Sequence, residues 1–194
     1  MSKVLGVLVL LLLAVAAWVG VRGYLAYGHA RDAADGLAAV QSAVADGDVE
    51  TARGELAGVQ DDTGATVRLT SDPVWRSLAA FPFGGQNLAA VSTAAAAADD
   101  VTTGGLPALI DAAEGLREFG SSLRSGDLDP EALQSTVDGV ERLDASLTRA
   151  QADIEAIDRR YLLPQVEQAL DELASSVDVA AQAREAIAGQ LPAR

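Results

Sequence analysis

The sequence predicts an all-α protein: an N-terminal transmembrane helix followed by an elongated antiparallel helical bundle. Three observations predict it. Aromatic residues make up only 4% of the chain, so a core has to come from Leu, Val, Ile and Ala. That suits helices packed closely through small side chains and suits strands poorly, since strands favour aromatic and β-branched residues. Beyond the N-terminal segment, apolar residues recur at spacings of three and four. The runs are separated by Gly-Asp and Asp-Pro signals, the chemistry that ends one helix and caps the next.

The first element is VLGVLVLLLLAVAAWVGV, residues 4–21, eighteen residues without a charge. About 17–25 apolar residues span a bilayer as a helix. Trp18, Tyr24 and Tyr27 near its end resemble an interfacial aromatic belt. The competing reading is a cleaved signal peptide, because Ala14-Val15-Ala16 has the small-x-small form of a cleavage site. The apolar run continues past that site to Val21, which favours an uncleaved anchor with residues 1–3 as a short cytoplasmic tail. Lys3 stands on one side of the segment and Arg22 and Arg31 on the other, so charge alone does not orient it.

Residues 22–71 read as a helical hairpin continuing from the anchor. Leu37, Val40 and Val44 form one stripe and Ala52, Leu56 and Val59 the next, broken by Asp46-Gly47-Asp48. Asp48 is placed to cap the second arm. Residues 88–194 read as a long-helix bundle. Leu106, Leu109, Ile110, Ala113, Leu116 and Leu123 share one face. After Ser125-Gly126-Asp127-Leu128-Asp129-Pro130, a second face holds Leu133, Val137, Val140, Leu147, Ile154 and Ile157. Val166, Leu170, Leu173, Val177 and Ala180 make a near-heptad seam in a last helix that Pro164 starts. The acidic turns DGDVE and SGDLD are similar, but they lack the Gly and distal Glu of a calcium loop, and capping explains their carboxylates better.

Between hairpin and bundle lies DPVWRSLAAFPFGGQN, residues 72–87, with Trp75, Phe81 and Phe83 among the chain's few aromatics. Asp72-Pro73 is a cap followed by Pro at the first helical turn. Val74, Leu78 and Phe81 form a short stripe flanked by Trp75. Pro82 stops the helix, Gly84-Gly85 allows a reversal, and Asn87 is placed to cap the next helix, an Ala-rich run to Asp100. The expectation is a short helix and an aromatic Pro/Gly corner that plugs a gap between slim helices. The alternative is a docking knob with Trp75 or Phe83 exposed. Asp72, Pro73, Trp75, Phe81, Pro82, Phe83, Gly85 and Asn87 are the candidate interaction or structural residues.

An N-terminal anchor, a Gly-Asp turn, the DPVW–P–GGQN segment, the SGDLDP turn and two long helices together resemble a known architecture. It is similar to the N-terminal helical region of a family of membrane-anchored actinobacterial proteins of unknown function. Asp72, Pro73, Trp75, Pro82, Gly85 and Asn87 would match its recurring pattern. The resemblance implies an extracytoplasmic body at the plasma membrane and a link to cell-envelope or exopolysaccharide loci. It also implies a large second domain downstream, so the expectation is a helical module that is a fragment, one half of a split gene or a stand-alone unit.

The charge excludes some functions. All 28 acidic residues lie at or after Asp32, against 11 Arg there, so the body carries 17 net negative charges. Such a field repels nucleic acid and anionic lipid headgroups. Absence of Cys removes disulfides, thiol catalysis and Cys-based zinc sites. His29, the single histidine, reads as a solvated helix residue, and no phosphate-binding Gly-rich motif is present. Asp61-Asp62 and Asp99-Asp100 are neighbours in sequence and diverge on a helix. The expectation is therefore a non-catalytic scaffold or interaction module without cofactor or metal. Its partner would be an envelope protein or a second copy of the chain. A sensory or ligand-binding bundle is the alternative, and a carboxylate-dependent carbohydrate-active enzyme a remote one.

Overall fold

A computed structural model describes residues 2–82, 84–125 and 130–188. Side chains are described at all of these except 2–8, 11, 12, 123, 125, 130–133, 183 and 186–188. The described residues are helical almost throughout, without strands, as the aromatic-poor composition requires.

Helix α1 (Ser2–Asp46) runs unbroken for 45 residues, so the apolar segment and the first arm of the hairpin are one rod. Gly47 takes a left-handed conformation with φ +75° and reverses the chain. Asp48 then caps α2 (Val49–Thr70). Its Oδ1 accepts from the Thr51 N–H at 3.0 Å and its Oδ2 from the Thr51 hydroxyl at 2.7 Å. Those donors favour the ionised form and hold the Asp48 carboxyl below its ordinary value. Helix α2 packs back along α1. Ala52, Leu56 and Val59 are buried with Ala33, Val40 and Ala43, and Leu37 and Val44 close the margin. Both expected stripes are therefore the packed faces.

After the short α3 (Pro73–Ala79), α4 (Gly85–Asp100) and α5 (Leu106–Ser125) form one further rod, joined by a π-helical segment, Val101–Gly105. The sequence pattern ends one element at Asp100 and begins the next face at Leu106. Polar side chains from two neighbouring helices explain the continuity. Gln60 of α2 donates to the Thr102 carbonyl at 2.9 Å, and the Ser146 hydroxyl donates to the Asp100 carbonyl at 3.1 Å. Thr63 and Thr102 share a buried hydroxyl–hydroxyl bond of 2.9 Å. Carbonyls that a wide turn leaves open are thus supplied with donors, and the helix need not break.

Helix α6 (Pro130–Glu155) runs antiparallel to α5, and α7 (Pro164–Ala188) returns along α6. Helix α6 begins at Pro130 as expected, while Asp129, Leu123 and Leu133 lie outside the described side chains. Its buried column is Leu143, Leu147, Ala150 and Ile154. This corrects the expected face, which omitted Leu143 and included Ile157, a residue past the helix end. Two cores result. One lies between α1, α2 and the start of α5; the other joins α4, α5, α6 and α7, and Val101 and Leu109 touch both.

Candidate functional site

The corner at residues 72–87 is assembled from the end of α2, α3 and the start of α4. Asp72 caps α3, its Oδ1 accepting from the Val74 N–H at 2.8 Å and the Trp75 N–H at 3.1 Å. Pro73 takes the first helical position. The other Asp72 oxygen accepts from Arg22 Nη1 at 2.7 Å. The same nitrogen reaches the Leu69 carbonyl at 3.1 Å and the Arg68 carbonyl at 3.4 Å. One guanidinium from α1 therefore closes the C-terminal end of α2 and anchors the cap of α3. It also stands over the Trp18 ring, 4.6 Å from its centroid.

Trp75 is 2% exposed and its indole N–H donates to the Leu88 carbonyl at 3.1 Å. That is the expected plug, but it is made by one aromatic. Phe81 is 65% exposed and Val74 is exposed too, which corrects the expected Val74–Leu78–Phe81 stripe. Helix α3 has seven residues, too few for its packed face to be set by periodicity. Pro82 is exposed at the tip of the bend, and Phe83 lies outside the described residues.

Asn87 is a second correction. The residue preceding α4 is Gly84, with φ +84°, and Asn87 sits inside the first turn. Gly85 is buried there because a Cβ would meet the Leu78 and Ala79 carbonyl oxygens at 2.6 Å. With the helix start already made by glycine, the Asn87 amide is free for another task. Its Oδ1 accepts from the Leu163 N–H at 2.7 Å and its Nδ2 donates to the Tyr161 carbonyl at 3.4 Å. Tyr161 has φ +63°, a left-handed conformation that costs a non-glycine residue about 1 kcal/mol. Asn87 thus clips the α6–α7 connection to the corner across 74 positions of sequence.

That connection also holds Asp158 and Arg160 in a bidentate pair, with Arg160 Nη2 at 2.7 Å. Chiefly through that side-chain bond, the Asp158 carboxyl falls from 3.8 to about 2. Because the folded-state value is depressed, the pair stabilises the fold above pH 3.8 and loses that contribution as pH falls toward 2. In an NMR pH titration, Asp158 should show a midpoint near 2, moving back toward 3.8 in Arg160→Ala. An unchanged midpoint in the variant would disprove the assignment to Arg160.

Elsewhere, His29, Asp32 and Asp62 come together, with potential ligand atoms all within 4.8 Å. His29 keeps the solvent exposure expected of it, its side chain being 40% exposed, and in addition its Nδ1 stands 2.8 Å from Asp62 Oδ1. Asp62 comes from the opposite arm of the hairpin, so spacing along the chain gives no sign of it. Such donors suit a divalent transition metal, but the two atoms nearest each other already form a helix–helix hydrogen bond. The Asp99-Asp100 pair diverges as expected: Asp99 accepts from Thr63 at 3.1 Å, and Asp100 faces Ser146 and Arg149. No buried side-chain polar atom among the described residues lacks a partner.

Comparison of the chain with protein-family models, curated proteins and solved structures finds no match.

Proposed function

We propose that the protein is a membrane-anchored helical module, non-catalytic in itself, whose body stands outside the plasma membrane and binds another envelope protein. The observation that carries the anchor is the way α1 leaves the bundle. Arg22 is level with the end of α2, so residues 2–21 project beyond the hairpin by about 30 Å at 1.5 Å per residue. That equals the thickness of a bilayer's hydrocarbon core, also about 30 Å. Val9, Leu10, Leu13 and Val21 are exposed along that projection. A helix apolar on every side needs a surrounding that is not water. Among the described residues no helix is long and apolar enough to cross a membrane; residues 4–8, 11 and 12 of the apolar run fall outside the described side chains. An extracytoplasmic body follows from the family resemblance.

A scaffold fits the rest of the molecule better than a sensor or an enzyme does. The cleft beside the corner, about 380 Å³ and lined by Ala89, Ala90, Thr93, Asp153 and Ile157 among others, is an open surface trough. Among the described residues the buried polar side chains are hydrogen-bonded within the bundle, Thr63 to Thr102 and Ser146 to the Asp100 carbonyl.

The test is vesicle flotation and alkaline extraction of the full chain. Wild type should float with the vesicles and resist extraction. A Leu10→Glu, Leu13→Glu double variant should stay in the aqueous fraction, because each acidic residue at a helix centre costs about 2.5–3.5 kcal/mol of insertion. Wild-type protein that remains in the aqueous fraction would overturn the anchor.

A further inference from the structure

Resting on that anchor reading, we infer that the end of the bundle nearest α1's projection is itself a lipid-contacting base. The body would then stand on the bilayer surface instead of hanging from a free stalk. Two segments form this end: the corner at 72–82 and the α6–α7 connection at 156–163. Arg22 fixes the first at the point where α1 leaves the bundle, through Asp72 and the last carbonyls of α2. Asn87 fixes the second to the first.

Exposure and charge are both distributed unevenly, and both point to this end. Five large hydrophobic side chains of the body, after residue 31, are exposed among the described residues: Val74, Phe81, Tyr161, Leu163 and Val179. Four of them lie in these two segments. Tyr161, 85% exposed, is of a type enriched at the membrane–water boundary, and Phe81, 65% exposed, is of a type that apolar faces bury at the headgroup–acyl border. Tyr24 and Tyr27 are exposed on α1 just past Arg22. The body's heavy negative charge would oppose any approach to anionic lipid, but little of it sits here. The two segments contain Asp72, Arg76, Asp158, Arg159 and Arg160, and most of these charges are paired: Asp72 with Arg22, Asp158 with Arg160, and Arg159 with Asp171 of α7. An apolar patch whose charges are mostly paired, at the foot of a projecting apolar helix, suits the headgroup layer.

Because the chain lacks Cys, single nitroxide labels can be placed in the full-length protein. Leu13→Cys, Phe81→Cys, Tyr161→Cys and Glu50→Cys would be reconstituted in phosphatidylcholine–phosphatidylglycerol vesicles. Collisions with oxygen and with a water-soluble nickel chelate would be compared at each site. Glu50, in the first turn of α2 beside the hairpin turn at the far end, is the aqueous reference. The label at 13 should meet oxygen and exclude nickel. Labels at 81 and 161 should show several-fold less nickel access than the label at 50. If 13 is in lipid and either 81 or 161 is as open to nickel as 50, the base is wrong and the anchor stands. If 13 is open to nickel, the anchor is wrong and the base falls with it.

Discussion

Trp75→Ala should lower folding stability by about 3–5 kcal/mol, the range for truncating a buried Trp. The side chain is almost wholly enclosed, so removal opens a cavity where slim neighbours offer little bulk to refill it. The Leu88 carbonyl loses its indole donor as well. A helix as short as α3 has almost no stability of its own, and its Asp72 cap is also the seat of Arg22. Loss of the plug should therefore loosen the contact between α1 and the corner as well. Trp75→Phe keeps most of the volume and should cost less, with about 1 kcal/mol from the missing hydrogen bond. Denaturant midpoints of the three proteins in the same detergent would test this. An unchanged midpoint in Trp75→Ala would show that the corner contributes nothing to the core.

Gly139→Leu should be the most damaging change outside the corner. Helix α6 approaches α5 so closely that even a Cβ at Gly139 would lie 2.8 Å from the Ala108 carbonyl oxygen and 2.9 Å from the Ala112 methyl. Ala108 and Ala112 are themselves fully buried. A leucine there can only enter by pushing two backbones apart, and overpacking of this kind costs about 1–3 kcal/mol or more. At 3 kcal/mol, the melting temperature of a chain this size should drop by about 6–12 °C. Gly139→Ala separates two effects: it gains about 1 kcal/mol of helix propensity but meets the same carbonyl. A net loss in Gly139→Ala is expected; a rise in melting temperature would mean the crossing is slack.

The contrast between Asp48 and Asn87 explains what could be seen in advance. Asp48 acts on the turn of chain that follows it, so a residue type and a spacing of three reveal its role. Asn87 acts on a connection that reaches it only after two further helices, α5 and α6, have turned the chain back. Its own neighbourhood, after Gly84-Gly85, looks like any helix start. The same limit hid the His29–Asp62 bond and the partners of the π segment. Within α3 the failure has a different cause. A helix of under two turns has no resolved stripe, so the pattern puts Val74 and Phe81 on the packed face, whereas the fold leaves both exposed and buries Trp75. The stripes of α1, α2 and α7 were legible because many residues vote on one face. The Asn87 clip and the uneven exposure of the base belong to the assembled molecule.

The π segment between α4 and α5 also sets the phase of everything beyond it. Its five residues take up one more position than an α-helical turn would, and one position is about 100° of rotation. The alanines of α4 and the Leu-Ile face of α5 are like two cams on a shaft, and the extra residue is the key that sets the angle between them. Deleting any one residue of VTTGG would let the ladder close as plain α-helix. One cam would then turn by a quarter revolution or more against the other, pulling either the α2 side or the α6 side out of mesh. Length, more than residue identity, is what this stretch has to conserve.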